Sequence, residues 1–233
     1  MKKPFPLFLL MSILTINACA PLEAPTTPEP VVSVVTEVPT VVLPTAADQA
    51  SDLKLYANST FGLGFQYPSS WYGPDEYVSE QTLRVAIGSD VVYPYGEPPA
   101  QPSEVKNSYL VVLQYSKNDQ NTYWKETYQS LINLQDGESY SDARNMVIRV
   151  RQLNLGRFQG IEYTSTLSET AQTDPIYSRQ VILFDEQSNV LTIMGTPNNV
   201  EFTSETGWRD IYQTIDAANM PLFHQIVESL TME

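Results

Sequence analysis

The chain holds one thiol and one imidazole, and their places limit the chemistry it can do. Cys19 and His224 lie near opposite ends of 233 residues. No Cys follows position 19, so thiol catalysis, an internal disulfide and a Cys-based zinc site are excluded. His224 stands beside Phe223 at the edge of an apolar helical stripe, where a half-buried structural role is expected. No Gly-x-Ser-x-Gly elbow supplies it with a nucleophile. No P-loop or dinucleotide glycine fingerprint occurs. Asp136, Glu138 and Asp142 form the densest oxygen cluster, but without the spacing of a calcium loop. A solvated turn is expected there, and no metal or cofactor. Acids are abundant, yet no spacing selects a pair for glycoside hydrolysis. No catalytic residue is assigned.

Four of the seven Arg fall close together: Arg144, Arg149, Arg151 and Arg157. Arg149 and Arg151 are two apart, so on a regular strand they project from one face. The chain is acidic, with 27 Asp and Glu against 13 Lys and Arg and a net charge of −14. The Arg therefore either pair with nearby acids on a solvated face or offer a docking site to an acidic partner or anionic polymer. Tyr93 and Tyr95, in a Pro-rich loop, are candidates for aromatic contact with a partner. The acidic balance argues against nucleic acid as the main partner.

Three segments organise the chain. Residues 1–18 open on Lys2 and Lys3 and continue into an apolar run from Phe5 to Ile16. A dozen residues is too short to cross a hydrocarbon core of roughly 30 Å and has the form of a secretory signal. Its end, Ile16-Asn17-Ala18-Cys19, resembles the bacterial lipobox. That resemblance implies cleavage before Cys19 and a lipid on its sulfur. Two or three acyl chains give stable membrane retention, at about 0.8 kcal/mol per buried methylene. From Cys19 to residue 51 the chain is rich in Pro, Thr and Val. Pro21, Pro25, Pro28, Pro30, Pro39 and Pro44 favour an extended stalk of about 3.1 Å per residue.

From Asp52 onward the pattern is that of a folded domain. Strands are expected at Leu53–Tyr56, Leu63–Tyr67, Leu83–Gly88, Tyr109–Tyr115, Met146–Leu155, Phe158–Leu167, Tyr177–Phe184 and Val190–Thr196. Tyr109–Tyr115 is apolar on both alternations and reads as a central strand covered on both faces. Short polar links such as Gly156-Arg157 require antiparallel pairing. The period changes to helical over Asp119–Leu134. It does so again in two C-terminal sets, Trp208 to Ile215 and Phe223 to Leu230, with Asn219 and Pro221 opening the second helix. These elements predict an α+β domain, an antiparallel sheet with helices on both faces.

Phe61-Gly62-Leu63-Gly64-Phe65-Gln66-Tyr67-Pro68-Ser69-Ser70-Trp71 resembles the opening signature of the PsbP-like group of the Mog1/PsbP-like fold. Leu155 to Tyr163 is similar to that group's mid-domain hairpin, and Phe223 to Leu230 to its closing helix. The resemblance spans nearly the whole domain and implies an α/β/α sandwich serving as a non-enzymatic docking module. A lipid-anchored, outward-facing, monomeric binding protein is therefore expected, extracellular or periplasmic. The competing expectation is a tethered hydrolase or carbohydrate-binding protein that uses its acids. Replacing Cys19 by Ala leaves no thioether site, so membrane fractionation should find C19A released while the wild type pellets. C19A pelleting like the wild type would refute the anchor.

Overall fold

The computed structural model describes residues 52–96, 105–120, 122–141, 146–166, 178–202 and 207–232. Cys19, the signal segment and the Pro-rich stretch lie outside these residues, as does Asp142. Among the described residues there are eleven strands in two sheets and two helices.

The smaller sheet joins β1 (Leu53–Asn58), β2 (Leu63–Pro68) and β11 (Thr231–Met232), in the order β1-β2-β11. Ser59 to Gly62 close the β1–β2 hairpin, and Asn58 Oδ1 accepts the amides of Thr60 and Phe61, each at 3.1 Å. Gly64 is required on β2, because a Cβ there would lie 2.6 Å from Thr231 Oγ1 of β11.

The larger sheet holds β3 (Tyr72–Val78), β4 (Thr82–Gly88), β5 (Ser108–Ser116), β6 (Ser139–Ser141), β7 (Met146–Leu155), β8 (Phe158–Thr166), β9 (Ser178–Phe184) and β10 (Val190–Asn198). Their order is β3-β4-β5-β10-β9-β8-β7-β6, with every pairing antiparallel. Between β5 and β6 runs α1 (Thr122–Leu131); after β10 comes α2 (Trp208–Glu228).

Strand alternation sorts the apolar residues into two clusters. On one face Leu83, Val85, Val111, Leu113, Phe158, Val181, Leu183, Leu191 and Ile193 pack with Ile215, Phe223, Ile226 and Val227 of α2 and with Phe65 and Tyr67 of β2. On the other, Ile161, Tyr163 and Ile182 pack with Leu131, Trp124 and Tyr128 of α1. The domain is α+β and mostly strand. The expected sandwich is thus seen only in its coarser form. A second sheet shares the first face with α2, and the second face carries only the short α1. Tyr109–Tyr115 differs in the same sense: Tyr109, Val111, Leu113 and Tyr115 are buried, while Leu110 and Val112 are half-buried and Gln114 is exposed.

The two expected C-terminal helices are one. Pro221 lies inside α2, where its ring removes one backbone donor. Asn219 does not cap a second helix; its side-chain amide donates to the Ile215 carbonyl at 2.8 Å. The apolar face runs on through both halves, and its burial outweighs the roughly 3 kcal/mol that a helix-interior Pro costs. β3 escapes the alternation rule because it is an edge strand exposed on both sides. Gly160 permits a close strand contact: a Cβ there would sit 1.8 Å from the Ile182 carbonyl oxygen. Gly156 takes the turn, at φ +60°.

Candidate functional site

Charge occurs where the apolar face of the sheet meets α2. Along β8, Phe158, Gly160 and Glu162 share that face; along β9, Arg179, Val181 and Leu183 do. Glu162 has no solvent exposure, and Arg179 and Asp216 of α2 are also buried. Glu162 Oε1 accepts from Arg179 Nη1 at 3.0 Å and lies 2.8 Å from His224 Nε2. Its Oε2 accepts from Arg151 Nε at 2.7 Å. Arg179 Nη2 donates to Asp216 Oδ2 at 2.8 Å, and the buried Tyr109 hydroxyl donates to Asp216 Oδ1 at 3.1 Å. Arg151 Nη1 reaches Glu228 Oε1 at 3.2 Å near the end of α2. One connected chain of polar contacts therefore ties β5, β7, β8 and β9 to α2.

The electrostatics follow from that geometry. Burial raises the Glu162 pKa, but hydrogen bonds from His224, Arg151 and Arg179, with the His224 charge, bring it down to about 2. Burial raises the Tyr109 hydroxyl well above its ordinary value, and the Asp216 carboxylate adds to the rise. Both carboxylates are saturated by donors, so neither offers a free base. His224 is half-buried against Glu162 as a structural contact, which agrees with its expected role.

The β7–β8 ladder sets Arg149 opposite Tyr163 and Arg151 opposite Glu162, with a register shift between them. Arg151 is bound into the buried cluster. Arg157 lies apart from it, its Nε 3.3 Å from Asp185 Oδ2.

Of the two Tyr candidates, Tyr93 is half-buried and Tyr95 is 57% exposed. Tyr95 lies over the Arg84 guanidinium, 4.7 Å from ring centroid to Cζ, and 5.1 Å from the Tyr77 ring. Tyr77 is 43% exposed and pairs with Arg84 across the β3–β4 ladder. Arg84 Nη1 also lies 3.5 Å from Asp75 Oδ2. This aromatic–guanidinium stack stands on the edge strand. Sequence reasoning found Tyr95 but missed Tyr77, because β3 carries no alternation, and Arg84, whose neighbour across the β3–β4 ladder only the fold reveals. It also missed Asp216. The available signal was a lone charge of each sign on otherwise apolar faces: Glu162 among Phe158 and Gly160, and Arg179 beside Val181 and Leu183.

Among the described residues no group of three His, Cys, Asp or Glu is placed to hold a metal ion. Asp136 and Glu138 are exposed, and Glu138 Oε2 accepts the Gln135 amide at 2.7 Å, closing the turn. No described helix is long and apolar enough to cross a membrane. Comparison with protein-family models gives no match, and comparison with curated proteins gives none either.

Glu162 yields a pH prediction. Its folded pKa lies below the ordinary value of 4.5. The ionised form therefore favours folding above about pH 4.5, and that contribution drains away as pH falls toward 2. It amounts to about 3 kcal/mol. Urea unfolding across pH 2–7 should show E162Q destabilised by about 3 kcal/mol at pH 7, because two guanidinium groups lose their shared anion. Its stability should also fall less steeply with acid than the wild type's. Parallel pH profiles would refute this account of Glu162.

Proposed function

We propose that this protein is a lipid-anchored, outward-facing binding module without catalytic activity, and that its partner docks on the Tyr77–Tyr95–Arg84 stack. The observation that carries the reading is the exposure of Tyr77 and Tyr95, packed beside an Arg84 side chain that is itself 17% exposed. Tyr and Arg are the residue types that dominate binding hot spots, because they offer large, rigid contact area with a polar tip. Arg84 is held in place by Asp75 and by the Tyr95 ring, so little side-chain entropy is left to lose on docking. The anchor rests on the sequence of residues 16–19 and on the solitary Cys19.

The fold assignment belongs to the same proposal. The PsbP-like signature residues take structural places that suit it. Tyr67 and Trp71 are buried in the main core, Pro68 ends β2, and Phe223, Ile226 and Val227 are the buried face of α2. The packing of α1 and α2 against different apolar clusters supports the sandwich reading. The enzymatic alternative finds less support. The buried acids Glu162 and Asp216 are each neutralised by Arg179, and a glycosidase needs two carboxylates free to act on one bond.

Site-directed photo-crosslinking in the anchored protein tests the docking face. A photoreactive residue at position 95 should give one discrete adduct, lost when Tyr77→Ala and Arg84→Gln are added. The same residue at Leu55, 71% exposed on β1, should not give that adduct. Equal labelling from both positions, or no adduct from position 95, would overturn the assignment.

A further inference from the structure

A second surface feature gathers positive charge in this acidic chain, independently of the aromatic stack. The β1–β2 loop, the end of β5 and the turns after β7 and β9 enclose a solvent-open recess of about 350 Å³. Ser59, Thr60, Phe61, Lys117, Arg157 and Asn189 line it, with the Tyr115 ring, and none of its lining residues is acidic. Two of the chain's 13 cationic side chains thus face one cavity, against 27 acids overall.

Lys117 is set in place without an ion pair among the described residues, and Arg157 by one whose carboxylate has other donors. Lys117 Nζ donates to the Thr60 carbonyl at 3.3 Å and rests 4.3 Å from the centroid of the Phe61 ring. Among the described residues it makes no ion pair. Arg157 is 42% exposed and lies over the Phe158 ring, 5.3 Å from its centroid. Its Nε meets Asp185 Oδ2 at 3.3 Å. That carboxylate is fully buried and already accepts from the Gln187 amide at 3.0 Å, the Asn189 amide at 2.9 Å and the Asn189 side-chain amide at 2.7 Å. Asp185 therefore orients Arg157 while its own charge is shared among four donors. Phe61 and Tyr115 are buried and meet edge to face at 5.8 Å, which makes the cavity wall rigid.

We propose that this recess binds an oxyanion of the phosphate type, with Lys117 and Arg157 as the charged donors and the Ser59 and Thr60 hydroxyls as neutral ones. An ammonium supplies a point charge and a guanidinium a planar pair of donors, and together they suit a tetrahedral anion with several acceptor oxygens. Pre-positioned donors lose little freedom on binding. Free phosphate and a phosphodiester headgroup present the same oxygens.

Calorimetry on the full chain in neutral detergent separates these sources. Inorganic phosphate and glycerophosphoglycerol, a soluble lipid headgroup, are titrated in turn against a sodium chloride blank of matched ionic strength. Saturable binding of either probe is expected, and the tighter one names the source. Lys117→Gln should weaken it at least tenfold, while Lys117→Arg stays within about threefold of the wild type. Thermal unfolding by circular dichroism checks that K117Q is folded; if it is not, Ser59→Ala serves as the second variant and should weaken binding severalfold. No saturation with either probe, or unchanged affinity in the folded variant, overturns the proposal.

Discussion

Glu162 is a carboxylate removed from water in the middle of an apolar layer, and the arrangement of the domain depends on how its charge is met. Moving an ion out of water costs several kcal/mol even after relaxation. Three donors from three elements meet that cost: Arg151 on β7, Arg179 on β9 and His224 on α2. Arg179 then binds Asp216, about two helical turns before His224 on α2, and Asp216 takes the Tyr109 hydroxyl from β5. Each contact is directional, so the helix can sit in one register only. The apolar residues Ile215, Leu222, Phe223, Ile226 and Val227 supply the larger driving force, at about 1.5–3 kcal/mol each when fully buried. They hold α2 on the sheet without saying where along it.

This division of labour explains which parts of the molecule the sequence made legible. Period-2 and period-3.6 patterns report burial, so eight strands and both helices were visible from apolar spacing. The α2 prediction failed at Pro221, because a local rule about proline was set against a continuous buried face, and the face is worth more. β3 was invisible because nothing covers either side of it. The register shift between Arg149 and Arg151 leaves no mark in residue type. The ion cluster is non-local by nature. Glu162 and Asp216 are 54 positions apart, and only the fold reveals that Arg179 lies between them.

Surface and interior therefore divide the charged residues into two roles. Arg151, a binding candidate by sequence position, and Arg179 are taken up by Glu162 and Asp216 inside the domain. Arg84, Lys117 and Arg157 remain at the surface, each steadied by an aromatic ring. A guanidinium or ammonium held against a ring keeps its charge available while losing conformational freedom in advance. Such a surface suits the docking role proposed above.

The central claim is that the Arg179–Asp216 contact fixes α2 on the sheet through charge pairing and not through side-chain bulk. A double-mutant cycle of Arg179→Met and Asp216→Leu, read by urea unfolding at pH 7, tests it most directly. Arg179→Met leaves Asp216 without its cation, and Asp216→Leu leaves the buried Arg179 Nη2 donor unmet; each should lose about 3 kcal/mol or more. The double variant should recover at least half of the summed loss, giving a coupling of about 3 kcal/mol or greater. Losses that simply add, with no coupling between the two positions, would contradict the account.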